Sequence, residues 1–175
     1  MSEQIVVEEG LRQLGQHFVV QRQVPGRHFS GKQVFLDAVL QPKDARLWKN
    51  KRVALGIEFK DTLRYQQSYD TKDYTKWLAQ CVDYSHAEWE GFGYLYVFAY
   101  GGLVERIGGR FDGLDLDRLD WFLPHLMAQL GIGELKAIPY HGLSFLLNGH
   151  HRIWSAVKGV EEGKRYNLER RFGSR

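Results

Sequence analysis

Three charged residues interrupt the most apolar stretches of the first sixty residues. Asp37 stands inside Gln-Val-Phe-Leu-Asp-Ala-Val-Leu (33–40), and Glu58 and Lys60 close the run Lys-Arg-Val-Ala-Leu-Gly-Ile-Glu-Phe-Lys (51–60). Charged side chains rarely enter apolar strands without a partner. Side chains alternate along an extended chain, so Glu58 and Lys60 share a face and Phe59 takes the other. If the two segments are neighbouring strands, Asp37 lies opposite Glu58, and two carboxylates and one ammonium share a small site. Carboxylates held close repel unless a cation sits between them. A hard divalent ion with oxygen ligands meets that need, Mg²⁺ first and Mn²⁺ as a substitute, with the Phe59 carbonyl as a third protein ligand. Such an ion polarises a phosphoryl group and lowers the pKa of a bound water. Lys60 is placed to orient that water and stabilise developing charge. The plainer alternative is a structural Asp–Lys or Glu–Lys ion pair on a sheet face.

The elements that must position these residues are legible in outline. Ser2 is expected to cap a helix to about Leu14, with Gly15 just past its end, although Gly10 is a poor helix former. Residues 16–24 alternate in strand fashion, and Pro25-Gly26 reads as a turn. The segments 33–40 and 51–60 complete a β-meander, with Val53, Leu55, Ile57 and Phe59 on one face. Asp73 is expected to cap a second helix whose apolar stripe is Tyr74, Trp77, Leu78, Cys81 and Val82. Residues 92–100 are apolar almost throughout, which suits a strand buried on both faces. A strand reached through a helix is expected to run parallel to an earlier one. Residues 116–130 read as a helix interrupted at Pro124, and 134–157 as two or three short strands around His141-Gly142 and the turn dipeptide Asn148-Gly149.

The chain has 175 residues, 43% of them hydrophobic and 26% charged, an ordinary globular balance. It is read as one domain, 1–175, with a core over 2–100 and an extension over 101–175. The single cysteine, Cys81, excludes an internal disulfide and a cysteine-based zinc site. With no signal-peptide pattern in the first twenty residues and no apolar run of membrane-spanning length, a cytoplasmic protein is expected. The net charge of +3 permits phosphate binding without requiring it. Basic residues group at Arg46, Lys49, Lys51 and Arg52, beside Trp48, and again at Lys164, Arg165, Arg170, Arg171 and Arg175. Trp48 is a candidate for stacking on a base or lying along a nucleic-acid backbone, against the alternative of a surface-exposed loop aromatic. His150 and His151 are adjacent, so in a strand they point apart and do not share an ion. The Gly pairs at 101–102 and 108–109 form no phosphate loop, and no G-x-S-x-G is present.

Asp37 within Phe-Leu-Asp-Ala-Val, followed by Ile57-Glu58-Phe59-Lys60, resembles the D…(D/E)xK signature of the PD-(D/E)xK, or restriction-endonuclease-like, nuclease superfamily. Gln80-Cys81-Val82-Asp83-Tyr84 is a QxxxY that resembles the additional motif of its RecB-like members. Leu36 stands where that family often has proline. The resemblance covers residues 2–100. It implies an α/β (α+β) fold: a mixed central sheet with an αβββαβ core flanked by helices, here followed by a C-terminal helix and short strands. It implies hydrolysis of phosphodiester bonds in nucleic acid, DNA first. The implied catalytic residues are Asp37, Glu58, Lys60, Gln80 and Tyr84, and the implied metal ligands are Asp37, Glu58 and Phe59. Gln80 would bond near the metal ligands or the DNA backbone, supported by Tyr84. Glu8 or Glu9 would add an acidic ligand, unless both are solvent-facing. Many nucleases of this group dimerise, so a homodimer is an expected state. The alternative is a non-cleaving nucleic-acid-binding or protein-interaction module on the same fold.

Overall fold

A computed structural model describes residues 3–60, 71–101, 125–148 and 151–161. The first helix, α1 (Glu3–Leu14), ends where the Gly15 N–H donates to the Leu11 carbonyl at 2.8 Å. Leu11 and Leu14 are buried beneath it. Gly10 has a packing reason: a Cβ there would lie 2.8 Å from the Tyr100 ring and 3.0 Å from the Phe59 ring. Its missing side chain lets the helix lie directly on the sheet, which offsets its poor propensity. The cap expected at Ser2 lies outside the described residues.

Strands β1 (Phe18–His28) and β2 (Gln33–Pro42) form a long antiparallel hairpin. Pro25-Gly26 is therefore not a turn. The chain runs straight through it, the Pro25 carbonyl accepts the Glu90 N–H at 3.0 Å, and a Cβ on Gly26 would come 2.4 Å from the Trp89 ring. The reversal falls at 29–32, where Gly31 adopts φ 85°. Strand β3 (Leu55–Phe59) starts later than the pattern predicts. Lys51 is held in the preceding loop, its Nζ donating to the Arg46 and Trp48 carbonyls at 2.7 and 2.9 Å.

Helix α2 (Thr71–Ser85) begins before Asp73, so that residue sits inside its first turn rather than capping it. Trp77, Leu78 and Cys81 are buried. A short strand with too few residues to show a pattern, β4 (Ala87–Trp89), follows and pairs with β1. The apolar run of 92–100 yields β5 (Tyr96–Tyr100), parallel to β3. Most of the helix expected over 116–130 lies outside the described residues, as do Asn148's turn partner Gly149 and His150; 125–130 is helical. Strands β6 (Gly133–Ile138), β7 (Gly142–Leu147), β8 (His151–Ser155) and β9 (Gly159–Val160) complete the described chain.

These strands form one nine-stranded sheet, ordered β4-β1-β2-β3-β5-β6-β7-β8-β9. This corrects the expected fold class. Strand outweighs helix, and the sheet is a curled half-barrel rather than a helix-flanked αβ core. The physical reason lies in the last third, read as an extension but supplying four of the nine strands. These bring Phe145 and Trp154 round to Phe18, near the other end of the sheet. Phe18 meets Trp154 at a ring separation of 4.8 Å and Phe145 at 5.8 Å, both edge-to-face, and Phe98 meets Phe145 at 4.8 Å. The sheet covers much of its own inner face with aromatics, where a helix layer was expected. Leu11 and Leu14 of α1 join this cluster, while Trp77, Leu78 and Cys81 of α2 pack with Leu95, Val97 and Ala99 in a second cluster. Among the described residues no helix is long and apolar enough to cross a membrane.

The β8–β9 end is fastened by a polar clamp. Arg152 donates twice to Glu161, at 2.6 and 2.7 Å, and Ser155 Oγ donates to the same carboxylate at 2.8 Å. The Arg152 hydrogen bonds hold the Glu161 carboxyl below its ordinary range. A lowered folded-state pKa stabilises above the unfolded value and ceases to do so as pH falls through the folded one. Glu161→Gln is thus expected to destabilise at neutral pH, and the difference from the parent should shrink as acid is added; a difference independent of pH would contradict this. Phe145→Ala should cost about 3–5 kcal/mol in denaturant unfolding if aromatic closure holds the curl. A cost under about 1 kcal/mol, the range of a surface substitution, would contradict it.

Candidate functional site

The β2–β3 ladder pairs Leu40 with Leu55, Val39 with Gly56 and Ala38 with Ile57. The same register carried one step further sets Asp37 against Glu58, and directly opposed residues of antiparallel strands share a face. Glu58 is 5% exposed. Both carboxylates act on the same neighbours, adding to the burial that raises the Cys81 and Tyr84 pKa values. Asp37 and Glu58 therefore both look toward α2.

The hairpin changes phase at Asp37. Ala38 and Leu40 belong to the α1-side cluster, whereas Leu36 and Val34 pack in the α2-side cluster. Opposite Asp37, Gln23 adopts φ 49°, a left-handed conformation unusual for a residue with a side chain. Gln23 Nε2 donates to Asp37 Oδ1 at 3.2 Å. The Phe59 N–H donates to Asp37 Oδ2 at 2.9 Å. The next N–H, that of Lys60, turns the other way and donates to the Tyr100 carbonyl at 2.9 Å. In an extended strand the N–H and C=O of one residue point to the same edge. The Phe59 carbonyl accordingly faces the β2 side, where the Asp37 carboxylate sits. Its ring is buried on the opposite sheet face, against Tyr100 at 5.4 Å.

Gln80 and Tyr84 reach the site from α2. Residues four apart on a helix are neighbours. Gln80 Nε2 donates to Glu58 Oε1 at 2.8 Å and to Tyr84 Oη at 2.9 Å. Tyr84 rests edge-on against Trp89 at 5.4 Å, and Trp89 Nε1 donates to the Tyr84 carbonyl at 3.2 Å. A chain of contacts thus runs from the β4 core through Tyr84 and Gln80 to Glu58. Lys60 follows β3 directly, on the face of Glu58 by strand alternation.

Other residues named from the sequence fall elsewhere. Glu9 bonds Arg12 and Gln13, which hold its carboxyl down to about 2, and Glu8 pairs with Arg22 at 2.8 Å. Neither carboxylate is given to the site. Trp48 is a core residue at 2% exposure, so both readings of it, a platform for nucleic acid and a surface-exposed loop aromatic, are corrected. The basic loop 46–52 joins β2 to β3 at the ends remote from Asp37 and Glu58. The C-terminal basic group from Lys164 onward and the Gly108–Gly109 pair lie outside the described residues. Sequence reasoning missed Gln23, for which no signal exists in its neighbours. It also missed that Cys81, read as part of an apolar stripe, is near enough for the charge of both acids to bear on its buried thiol. A cleft of about 650 Å³ runs along the outer half of the hairpin, lined by Arg27, Gln33, Glu88 and Trp89 among others, and does not include the acids.

Among the described residues no group of three or more His, Cys, Asp or Glu side chains is placed to hold a metal ion. The available oxygen set is smaller: the Asp37 and Glu58 carboxylates and the Phe59 carbonyl. Comparison with protein-family models, with curated proteins and with solved structures finds no match.

Asp37 has a structural duty that can be separated from chemistry. Asp37→Ala leaves the Phe59 N–H without its acceptor and should cost about 1–3 kcal/mol, whereas Asp37→Asn keeps an acceptor oxygen and should cost less than half as much. Equal losses in the two variants, measured by denaturant unfolding, would show that the hydrogen bond contributes nothing.

Proposed function

We propose that this protein is a divalent-metal-dependent hydrolase of phosphodiester bonds in nucleic acid, with DNA the first substrate to try. One observation carries the reading: two acids from adjoining strands look to the same side, and Gln80 fixes one of them from the facing helix. The proposal rests on the chemistry of this site and not on the fold, which departs from the helix-flanked core implied by the resemblance.

The donor set fits Mg²⁺. That ion binds through one or two carboxylates and keeps several waters, so it needs no third acid. Asp37, Glu58 and the Phe59 carbonyl are the residues that would hold it. Mg²⁺ there would supply Lewis-acid polarisation of a phosphoryl oxygen and make a nearby water more acidic. Gln80 is a positioning residue, orienting the Glu58 carboxylate through Oε1 and itself oriented by Tyr84. Lys60 carries positive charge on the Glu58 face, where it can bind a phosphate oxygen and offset charge that develops during attack.

The hydrogen bonds on both Asp37 oxygens favour a second reading, a non-cleaving nucleic-acid-binding or interaction module in which Asp37 only secures the hairpin. Cleavage assays separate the two. The purified chain should cut labelled single-stranded or duplex DNA with Mg²⁺ or Mn²⁺ and stop on chelation. Glu58→Gln and Lys60→Ala should each reduce the rate by about 100-fold or more. Gln80→Ala should reduce it by about 10–100-fold, as removal of a ligand-orienting group does. No cutting under either ion, or cutting that survives both Glu58→Gln and Lys60→Ala, would defeat the hydrolase reading.

A further inference from the structure

Gln23 is ill suited to its own backbone. It stands across the β1–β2 hairpin from Asp37, between the pairs Arg22–Ala38 and Val24–Leu36, at the one step missing from that ladder. Its φ of 49° is left-handed, where glycine and asparagine are at home and a longer side chain costs energy. The side chain is exposed, so packing does not account for it. What it contributes is an amide, whose Nε2 lies 3.2 Å from Asp37 Oδ1.

Two glutamine amides meet the two acids, and they are held differently. Gln80 Nε2 donates to both Glu58 Oε1 and Tyr84 Oη, so its two N–H groups are committed and the amide is fixed. Gln23 Nε2 makes a single exposed bond, to Asp37 Oδ1. An amide held that way can turn end for end, which sets its carbonyl oxygen where its nitrogen was. A carboxylate by itself calls for the N–H; a cation on Asp37 Oδ1 calls for the oxygen. The spacing suits the second state. Neighbouring ligand oxygens of an octahedral ion at ~2.1 Å lie about 3.0 Å apart, close to the 3.2 Å between the Gln23 amide and Asp37 Oδ1. The other Asp37 oxygen, Oδ2, accepts the Phe59 N–H at 2.9 Å, so Oδ1 is the one that an ion would take.

We propose that Gln23 is a further oxygen ligand of the divalent ion, beside Asp37, Glu58 and the Phe59 carbonyl, its amide turning from hydrogen-bond donor to ligand as the ion enters. The inference rests on the metal-dependent hydrolase reading. Amide carbonyls serve hard cations as carboxylates do. This one is neutral, so two carboxylates still balance the charge of the ion. The remaining positions of the octahedron go to water and a phosphate oxygen. A ligand contact also gives the left-handed backbone a reason to persist, since strain of that kind is kept at functional sites.

The test is Mn²⁺ binding to the whole chain, read by calorimetry and by the proton relaxation of water on the bound ion. Gln23→Met removes the oxygen at similar length, and Gln23→Glu keeps one. Gln23→Met should weaken Mn²⁺ binding by about tenfold or more and add one fast-exchanging water to the ion, whereas Gln23→Glu should keep the parent's water number. An unchanged water number in Gln23→Met, whether or not affinity falls, means that the amide only braces Asp37. That result overturns the inference and leaves the hydrolase reading standing if the parent cuts DNA. Absence of Mn²⁺ binding by the parent overturns both. Should Gln23→Met lose the metal-free thermal midpoint of the parent, Mn²⁺-soaked crystals of the parent decide. Gln23 Oε1 at about 2.1 Å from the ion supports the inference, and an amide still donating to Asp37 beside a bound ion overturns it.

Discussion

Where β2 parts from β3, the Phe59 N–H goes to the Asp37 carboxylate. That hydrogen bond is the constraint on which the site depends. It fixes Asp37 at the end of the β2–β3 ladder, in register with Glu58, and leaves the hairpin beyond it at liberty to change phase. Gln23, in a left-handed conformation directly across, absorbs the change and bonds the other Asp37 oxygen. A strained residue persists only when its surroundings compel it. Here the compulsion is packing: Ala38 and Leu40 must reach one cluster while Leu36 and Val34 reach the other.

The same geometry carries a tension that suits chemistry. Two acids share one side of a sheet, and their charges add to the burial that raises the Cys81 pKa. A fold has little reason to hold such a pair together for stability alone, because bringing like charges near one another in a partly dry place is unfavourable. Gln80 eases it with one hydrogen bond to Glu58, and Tyr84 steadies Gln80. A cation would ease it further, which links the packing of α2 to the proposed function.

Much of the site was legible in the sequence because it obeys local rules. Asp37, Glu58 and Lys60 stood out as charges in apolar runs, strand alternation assigned Glu58 and Lys60 to one face, and helical spacing set Gln80 beside Tyr84. Less of the fold was legible. Pro25-Gly26 has turn composition but lies mid-strand because Trp89 occupies the space over Gly26, a contact more than sixty residues away in the chain. Trp48 sits among basic residues yet is buried, because the loop folds it under while Lys51 bonds the loop's own carbonyls. The curl of the sheet depends on Phe18 meeting Trp154. No window of residues contains both partners, so periodicity predicted the strands of the last third but not that they would take the place of a helix layer.

The most direct test of the account is where a divalent ion goes. Crystals of the protein exposed to Mn²⁺ should show one anomalous peak between the Asp37 and Glu58 carboxylates, at about 2.1 Å from an oxygen of each as hard octahedral cations demand. Carboxylates that keep only their bonds to Phe59, Gln23 and Gln80, with no peak between them at saturating Mn²⁺, would contradict it.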